Sequence, residues 1–472
     1  MKPGLLIRYG GYVFSVAGAR IAGILISGLT FPYLVRALGV ETYGLWSYVL
    51  VLTAFLDIVA DPGLTTYVTQ QVAARRKDAI ELLPDYFALR LCGAVLAAIL
   101  MLAVAHFETR DGVGHLLRLY CIGLLLLNLI SSDHFLGALE FFHARSVLVV
   151  GQQAIYAIAI FLLVHHSSDV KWVPISILSS SALTAIAGWV ILFRAGFRPP
   201  PAIRVSRWRQ ILIPSIHYAA STLMSSLYHR SGHLLVRWLL GDYALGLYAA
   251  AVRLVDLLRG LVTTVVAVLV PRLAVNAHSA DGLRRVSRFA IAAMAATSIP
   301  MSFGLFATAN LAVPLVLGAN YSPDVSLVKW MSPYLITASA ASLCSGTILY
   351  AMGRHRACLS ATAGGALGGV LLYLVLIPSF GLKGAAAAFV LAELIVASIG
   401  FGLLPSPLRQ LWKSPVIGSA LASGCLMVIA VRIGSAYDLR FPVLMALGAG
   451  VYLGTCGWFV RRWLNAPQQR FT

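Results

Sequence analysis

Fourteen apolar stretches follow one another along the chain, near residues 9–36, 43–67, 84–106, 114–139, 145–166, 172–194, 210–237, 244–270, 286–307, 328–352, 356–377, 382–404, 415–435 and 441–463. Each is long enough for a helix to cross a hydrocarbon core of about 30 Å. Backbone within lipid must satisfy its own hydrogen bonds, which leaves helices or a closed barrel, and stretches of this length select helices. Composition agrees: 59% hydrophobic and 11% charged residues leave too little polar surface to coat a soluble body of 472 residues. The expected fold class is an all-α integral membrane protein of about 14 transmembrane helices. The apolar but short segment 308–325, with Pro314-Leu315-Val316-Leu317-Gly318, reads as a half-inserted loop.

A net charge of +19 would suit a nucleic-acid binder, but the basic residues punctuate apolar runs instead of decorating a soluble fold. That is the pattern of cytoplasmic loops. With an inside start, 22 of the 36 Lys and Arg residues fall on the inside and eight on the outside. Arg20, Arg90, Arg118, Arg230, Arg253 and Arg259 remain within spans. Both termini are therefore expected in the cytoplasm. The first apolar run is too long for a cleaved secretion signal and reads as an uncleaved helix. Cys92, Cys121, Cys344, Cys358, Cys425 and Cys456 lack metal-ligand spacing and read as packing residues.

The chain contains an internal repeat. Leu34-Val35-Arg36, followed by Tyr43-Gly44-Leu45-Trp46, is echoed by Leu235-Val236-Arg237 followed by Leu245-Gly246-Leu247-Tyr248. An even number of spans per half makes the repeat parallel, related by an axis along the membrane normal. The expected organisation is a six-helix bundle over 1–194, a basic linker over 195–209 suited to an anionic inner surface or to solvent, a second bundle over 210–404, and two added helices in 405–472. Gly364-Gly365, Gly368-Gly369, Gly384 and Ala385 to Ala388 predict close packing of spans 11 and 12.

Charges within spans cost at least about 2.5–3.5 kcal/mol on insertion scales, so each requires a cavity or a partner. Arg20 lies near the middle of span 1, either lining a cavity or pairing with Asp57 or Asp61 on span 2. Span 7 places His229, His233 and Arg237 on one stripe, with Arg230 beside it. No carboxylate completes a zinc set, and a wet anion-binding or titrating wall is the better reading, with a helix end near the outer surface as the alternative. On span 8, Arg253, Asp256 and Arg259 recur in steps of three, and one carboxylate cannot neutralise two guanidiniums. The surplus suits a pyrophosphate, whose oxygens a guanidinium matches in bidentate fashion, unless the triad is locally satisfied. Asp57, Asp61 and Glu393 are candidates for coupling to a proton or sodium gradient, although Asp61, before Pro62-Gly63, also suits a helix cap. Prolines in spans 1, 2, 7 and 8 permit kinks in the spans that hold these charges.

No Gly-x-x-x-x-Gly-Lys-Ser/Thr motif is present, and no outer loop exceeds about twenty residues. A secondary transporter is favoured, with no catalytic residues, no cofactor and no metal.

Four stretches carry a family resemblance: Leu38-Gly39-Val40-Glu41-Thr42-Tyr43-Gly44, Asp61-Pro62-Gly63-Leu64, Leu317-Gly318-Ala319-Asn320-Tyr321 and Pro378-Ser379-Phe380-Gly381-Leu382-Lys383-Gly384-Ala385. In combination, and over essentially the whole chain, they resemble the Wzx-type O-antigen and exopolysaccharide flippases of the multidrug/oligosaccharidyl-lipid/polysaccharide exporter (MOP) superfamily. The resemblance implies two pseudo-symmetric bundles in a V shape around a cationic cavity. It implies transport of undecaprenyl-pyrophosphate-linked glycans between leaflets of a bacterial inner membrane, by a monomer working alongside glycosyltransferases and a polysaccharide polymerase. Arg20, Arg230, Arg253 and Arg259 are the positions that fit pyrophosphate binding, with His229, His233 and Asp256 as polar wall residues. The rivals are a cation-coupled drug exporter of the same fold, which would favour acidic walls, a membrane glycan polymerase or ligase, which needs a large outer loop, and a lipid-binding scaffold.

Overall fold

The computed structural model of the chain describes residues 3–74, 81–108, 111–197, 203–267, 279–437 and 439–465. It is 91% helical, and no strand occurs among the described residues. The helices are α1 (Pro3–Ala60), α2 (Leu64–Ala74), α3 (Leu83–Phe107), α4 (Asp111–Ile130), α5 (Asp133–Ala138), α6 (Phe142–Leu163), α7 (Trp172–Arg194) and α8 (Trp208–Leu240). They continue with α9 (Asp242–Ala267), α10 (Ala280–Leu317), α11 (Asp324–Met331), α12 (Tyr334–Ala341), α13 (His355–Leu403), α14 (Ser406–Gln410), α15 (Pro415–Ala436) and α16 (Phe441–Asn465). Most of the expected spans lie on these helices, but span 2 (43–67) breaks at Asp61-Pro62-Gly63, span 4 (114–139) breaks at Ser131-Ser132, and the end of span 8 (244–270) falls outside the described residues. Two continuous-looking helices each hold a pair of spans: α1 folds at Gly39 (φ 74°) and α13 at Gly381 (φ 59°), left-handed conformations that favour glycine. Seven helical stretches among the described residues are long and apolar enough to cross a membrane. Large apolar side chains such as Phe107, Leu162, Leu367 and Leu453 are exposed, the arrangement expected of helices solvated by lipid.

Two further details differ from expectation. Residues 308–317 are not a half-inserted loop, because α10 runs through Pro314 to Leu317, whose side chain is fully buried with Val313. The helix ends at Gly318 (φ 98°) and the chain turns over Ala319–Tyr321 into α11. The tenth span is itself broken, passing from α11 through Pro333 to α12 and then into a π-helical stretch over Ser342–Leu349. Lys2, Arg75 to Lys77, Arg110, Arg198, Pro199 to Pro201, Pro271, Arg272 and Arg470 lie outside the described residues.

By packing, the chain forms two compact units, Met1–Gly246 and Leu247–Thr472. The repeat assigns α8 to the second half, yet α8 packs against α1, α2 and α3 in the first unit, so the boundary by duplication and the boundary by contact differ. The linker joins in this attachment: the Arg204 backbone N–H donates to Asp85 Oδ1 at 2.6 Å, and Arg207 lies 3.4 Å from Glu81. One core of the first unit joins Tyr86, Phe135, Leu136, Leu192 and Phe197. In the second unit, one core joins Ile291 and Met294 to Leu343 and Leu349, and another joins Ile299 to Met427 and Val431.

The two copies of the repeat meet. A Cβ on Gly44 would lie 2.3 Å from the Asp242 carbonyl oxygen, and one on Gly246 would lie 1.9 Å from that of Val40. Only glycine allows this approach, so the repeated Tyr-Gly and Leu-Gly turns are a backbone crossing. In the second unit, Gly364 and Gly368 face Ile399 and Ile395 across the fold of α13, which is the predicted small-residue packing of spans 11 and 12.

Candidate functional site

In the first unit a cavity of about 520 Å³ opens between the second half of α1, α3, α4, α5, α6 and α7. Its position follows from a break in the chain. The helix ends at Ala60, Asp61-Pro62-Gly63 turns with Gly63 at φ 76°, and α2 restarts at Leu64. The Asp61 carboxylate caps that restart, accepting from the Thr65 N–H at 3.0 Å and from the Thr65 hydroxyl. It also pairs with Arg90 on α3 at 3.7 Å, both side chains being largely buried. Arg90 Nη1 donates to the Tyr86 hydroxyl at 2.6 Å, and Tyr86 meets Thr65 at 2.9 Å. Arg90 was visible in the sequence only as one more arginine within a span; its partner emerges from the fold.

The other walls are also polar. Asp133, at the start of α5, is held by Arg145 at 3.3 Å and by His134 at 3.3 Å. Gln152 on α6 donates to Ser181 on α7 at 2.7 Å. Asp57 is exposed in the wall, one turn before Asp61. The structure thus gathers Asp57 and Asp61 around one cavity.

The predicted span 7 stripe divides. His229, Arg230 and His233 are half-buried on α8, whereas Arg237 is taken up in a separate cluster. Its Nε donates to Asp242 at 2.6 Å, its two terminal nitrogens fork Glu108 at 3.0 and 3.2 Å, and the guanidinium stacks 3.6 Å over the Tyr48 ring. Arg20, on α1, is exposed.

In the second unit, Asp256 is committed to Arg259, whose Nε donates to Oδ1 at 3.1 Å, and it also accepts from the Tyr334 hydroxyl at 3.2 Å. Tyr334 stacks on Phe389 with ring centroids 4.1 Å apart, and the Tyr248 and Tyr373 hydroxyls meet at 3.0 Å. Glu393 is buried on α13, in the electrostatic field of Arg259 and both Tyr334 and Tyr373. Arg253 stands apart: it is exposed and makes no ion pair with a described residue. Of the three residues in steps of three, the satisfied pair is Asp256–Arg259 and the surplus charge is that of Arg253. Among the described residues no group of three or more His, Cys, Asp or Glu side chains has the arrangement of a metal site.

Helices that fold back at glycines, and polar walls inside a bundle whose outer faces are apolar, define a multi-pass α-helical membrane fold. The chain belongs to the family described as polysaccharide biosynthesis protein, whose model matches residues 12–277. It is similar to the "Putative O-antigen transporter" of Escherichia coli strain K12, with 22% identity over 338 residues, 69% of this chain and 80% of that protein. Among solved structures it is similar to the lipid II flippase MurJ in an inward closed conformation, at 14% identity and a TM-score of 0.76, covering 96% of this chain and 99% of that one. An outward-facing multidrug resistance MATE family transporter of the MOP superfamily matches at 14% identity and a TM-score of 0.61, covering 85% of this chain and 96% of the other.

Proposed function

We propose that the protein is a flippase that carries an undecaprenyl-pyrophosphate-linked oligosaccharide across a bacterial inner membrane by alternating access. Arg253 is the observation that carries this reading. A guanidinium on a membrane helix, left over after Asp256 has been committed to Arg259, calls for an anionic ligand. A pyrophosphate is such a ligand, and its lipid tail can remain in the bilayer while the head group crosses. Arg20 and Arg230 join Arg253 as head-group contacts in this reading, His229 and His233 line the path, and Arg259 acts with Asp256 as a fixed ion pair beside it. Membership of a polysaccharide biosynthesis family supports a glycan cargo, and the fold shared with a lipid II flippase supports movement of a lipid-linked one.

The bundles of 1–194 and 210–404 would alternate access, with cytoplasmic termini and with Glu393, Asp57 or Asp61 coupling transport to a proton or sodium gradient. Glycosyltransferases would supply the cargo and a polymerase would consume it. In cells, Arg253→Ala is expected to abolish surface glycan while the protein still inserts at wild-type abundance. Full surface glycan in that variant would remove Arg253 from the path.

A further inference from the structure

We infer that the cavity of the first unit is a binding subsite for neutral, hydroxyl-rich ligands, a saccharide subsite separate from the arginines assigned to pyrophosphate. Its volume of about 520 Å³ lies in the range of ligand pockets and far exceeds the roughly 30 Å³ share of one structural water. Its chemistry excludes the other ligand classes in turn. An anion would meet the exposed carboxylate of Asp57, while the lining arginine, Arg90, is already paired with Asp61. A tightly held metal ion would require a convergent set of ligands, which is lacking among the described residues. A large apolar ligand would strip water from polar groups on most of the wall without replacing their hydrogen bonds.

The charges present are largely cancelled within the protein, Asp61 by Arg90 and Asp133 by Arg145, so the cavity offers fixed donors and acceptors more than a net field. A sugar ring matches this: its hydroxyls donate and accept at once, and the lining carries both kinds of partner, the Asp57 carboxylate as acceptor, the Gln152 amide, and the hydroxyls of Thr53, Ser181 and Thr184. Tyr120, Leu148 and Val149 provide apolar contact for the C–H face of the ring. The Gln152–Ser181 hydrogen bond ties α6 to α7, so this part of the wall is set before a ligand arrives.

The inference rests on the flippase reading, for which the subsite would hold sugars of the cargo, but it can be tested without lipid. Saturation-transfer NMR on the full chain in nanodiscs, with glucose, galactose and N-acetylglucosamine as probes, is expected to detect binding in the millimolar range. Ala54→Leu, which fills the cavity and keeps every polar group, and Gln152→Leu, which removes an amide, should each weaken it about tenfold. Ser181→Ala, which removes a hydroxyl and adds no bulk, provides the same test should a larger substitution unfold the protein, and the lipid-facing Leu162→Ala should leave binding unchanged. Equal sugar signals in wild type and the folded cavity variants overturn the subsite, as does the absence of any sugar signal. Sodium-23 broadening lost in these variants, without a sugar response, overturns it in favour of a cation site. Cavity-dependent sugar binding in a protein that moves no lipid-linked glycan would overturn the flippase reading and leave the subsite standing.

Discussion

Arg237 forks Glu108: two guanidinium nitrogens lie 3.0 and 3.2 Å from the two carboxylate oxygens, across 129 residues of sequence. The pair fastens the end of α8 to the end of α3, with Asp242 and the Tyr48 ring completing the shell. Both side chains are largely buried, and removing one partner of such a pair costs about 3–5 kcal/mol. Glu108→Gln is therefore expected to lower the unfolding temperature in nanodiscs. Arg237→Lys should fail to substitute for arginine, since an ammonium neither forks a carboxylate nor stacks flat on a ring. Wild-type melting of both variants would show that the cluster contributes little.

Asp61 and Arg90 allow a sharper test. Asp61→Leu leaves a buried arginine and Arg90→Met leaves a buried carboxylate, so each single change should destabilise more than the double change does. A double-mutant cycle read by thermal unfolding measures this. Additive losses would mean that the contact at 3.7 Å contributes no coupling.

The glycine crossing gives a steric prediction. Gly44→Ala and Gly246→Ala place a methyl group against backbone carbonyls that cannot rotate away, with an expected loss of at least about 1–3 kcal/mol. Gly28→Ala, where a Cβ meets nothing within 4 Å, is the matched control and should accumulate normally. Equal yield and melting of all three would show that the repeat turns do not touch.

Glu393 is the buried carboxylate on which coupling can be tested in the second unit. Glu393→Gln keeps the shape of the side chain and removes its charge. Transport in vesicles should then lose its dependence on a proton or sodium gradient; unchanged dependence would leave Glu393 a structural member of the tyrosine–arginine network.

Much of the fold was legible because lipid imposes length and polarity on every span, and most of the helical stretches and the tight packing of spans 11 and 12 follow from those two constraints. The extension of α10 through Pro314 was not legible, since a proline after an apolar run reads as a break unless the packing of Val313 and Leu317 is known. Nor was the fate of Arg237. Periodicity placed it on one stripe with His229 and His233, but Glu108 and Tyr48, which define its role, are distant in sequence. At Asp256, spacing reduced the partners to two arginines, and only the fold selects Arg259 and leaves Arg253 as the surplus.

Arg253 therefore bears the most direct measurement, the rate at which undecaprenyl-pyrophosphate-linked oligosaccharide crosses proteoliposomes containing the purified chain. The wild type should flip it, Arg253→Ala should reduce the rate at least about tenfold, and Arg253→Lys should recover part of it, since the charge remains but the bidentate match is lost. Equal rates for wild type and Arg253→Ala, or no flipping of this lipid by the wild type, would contradict the account.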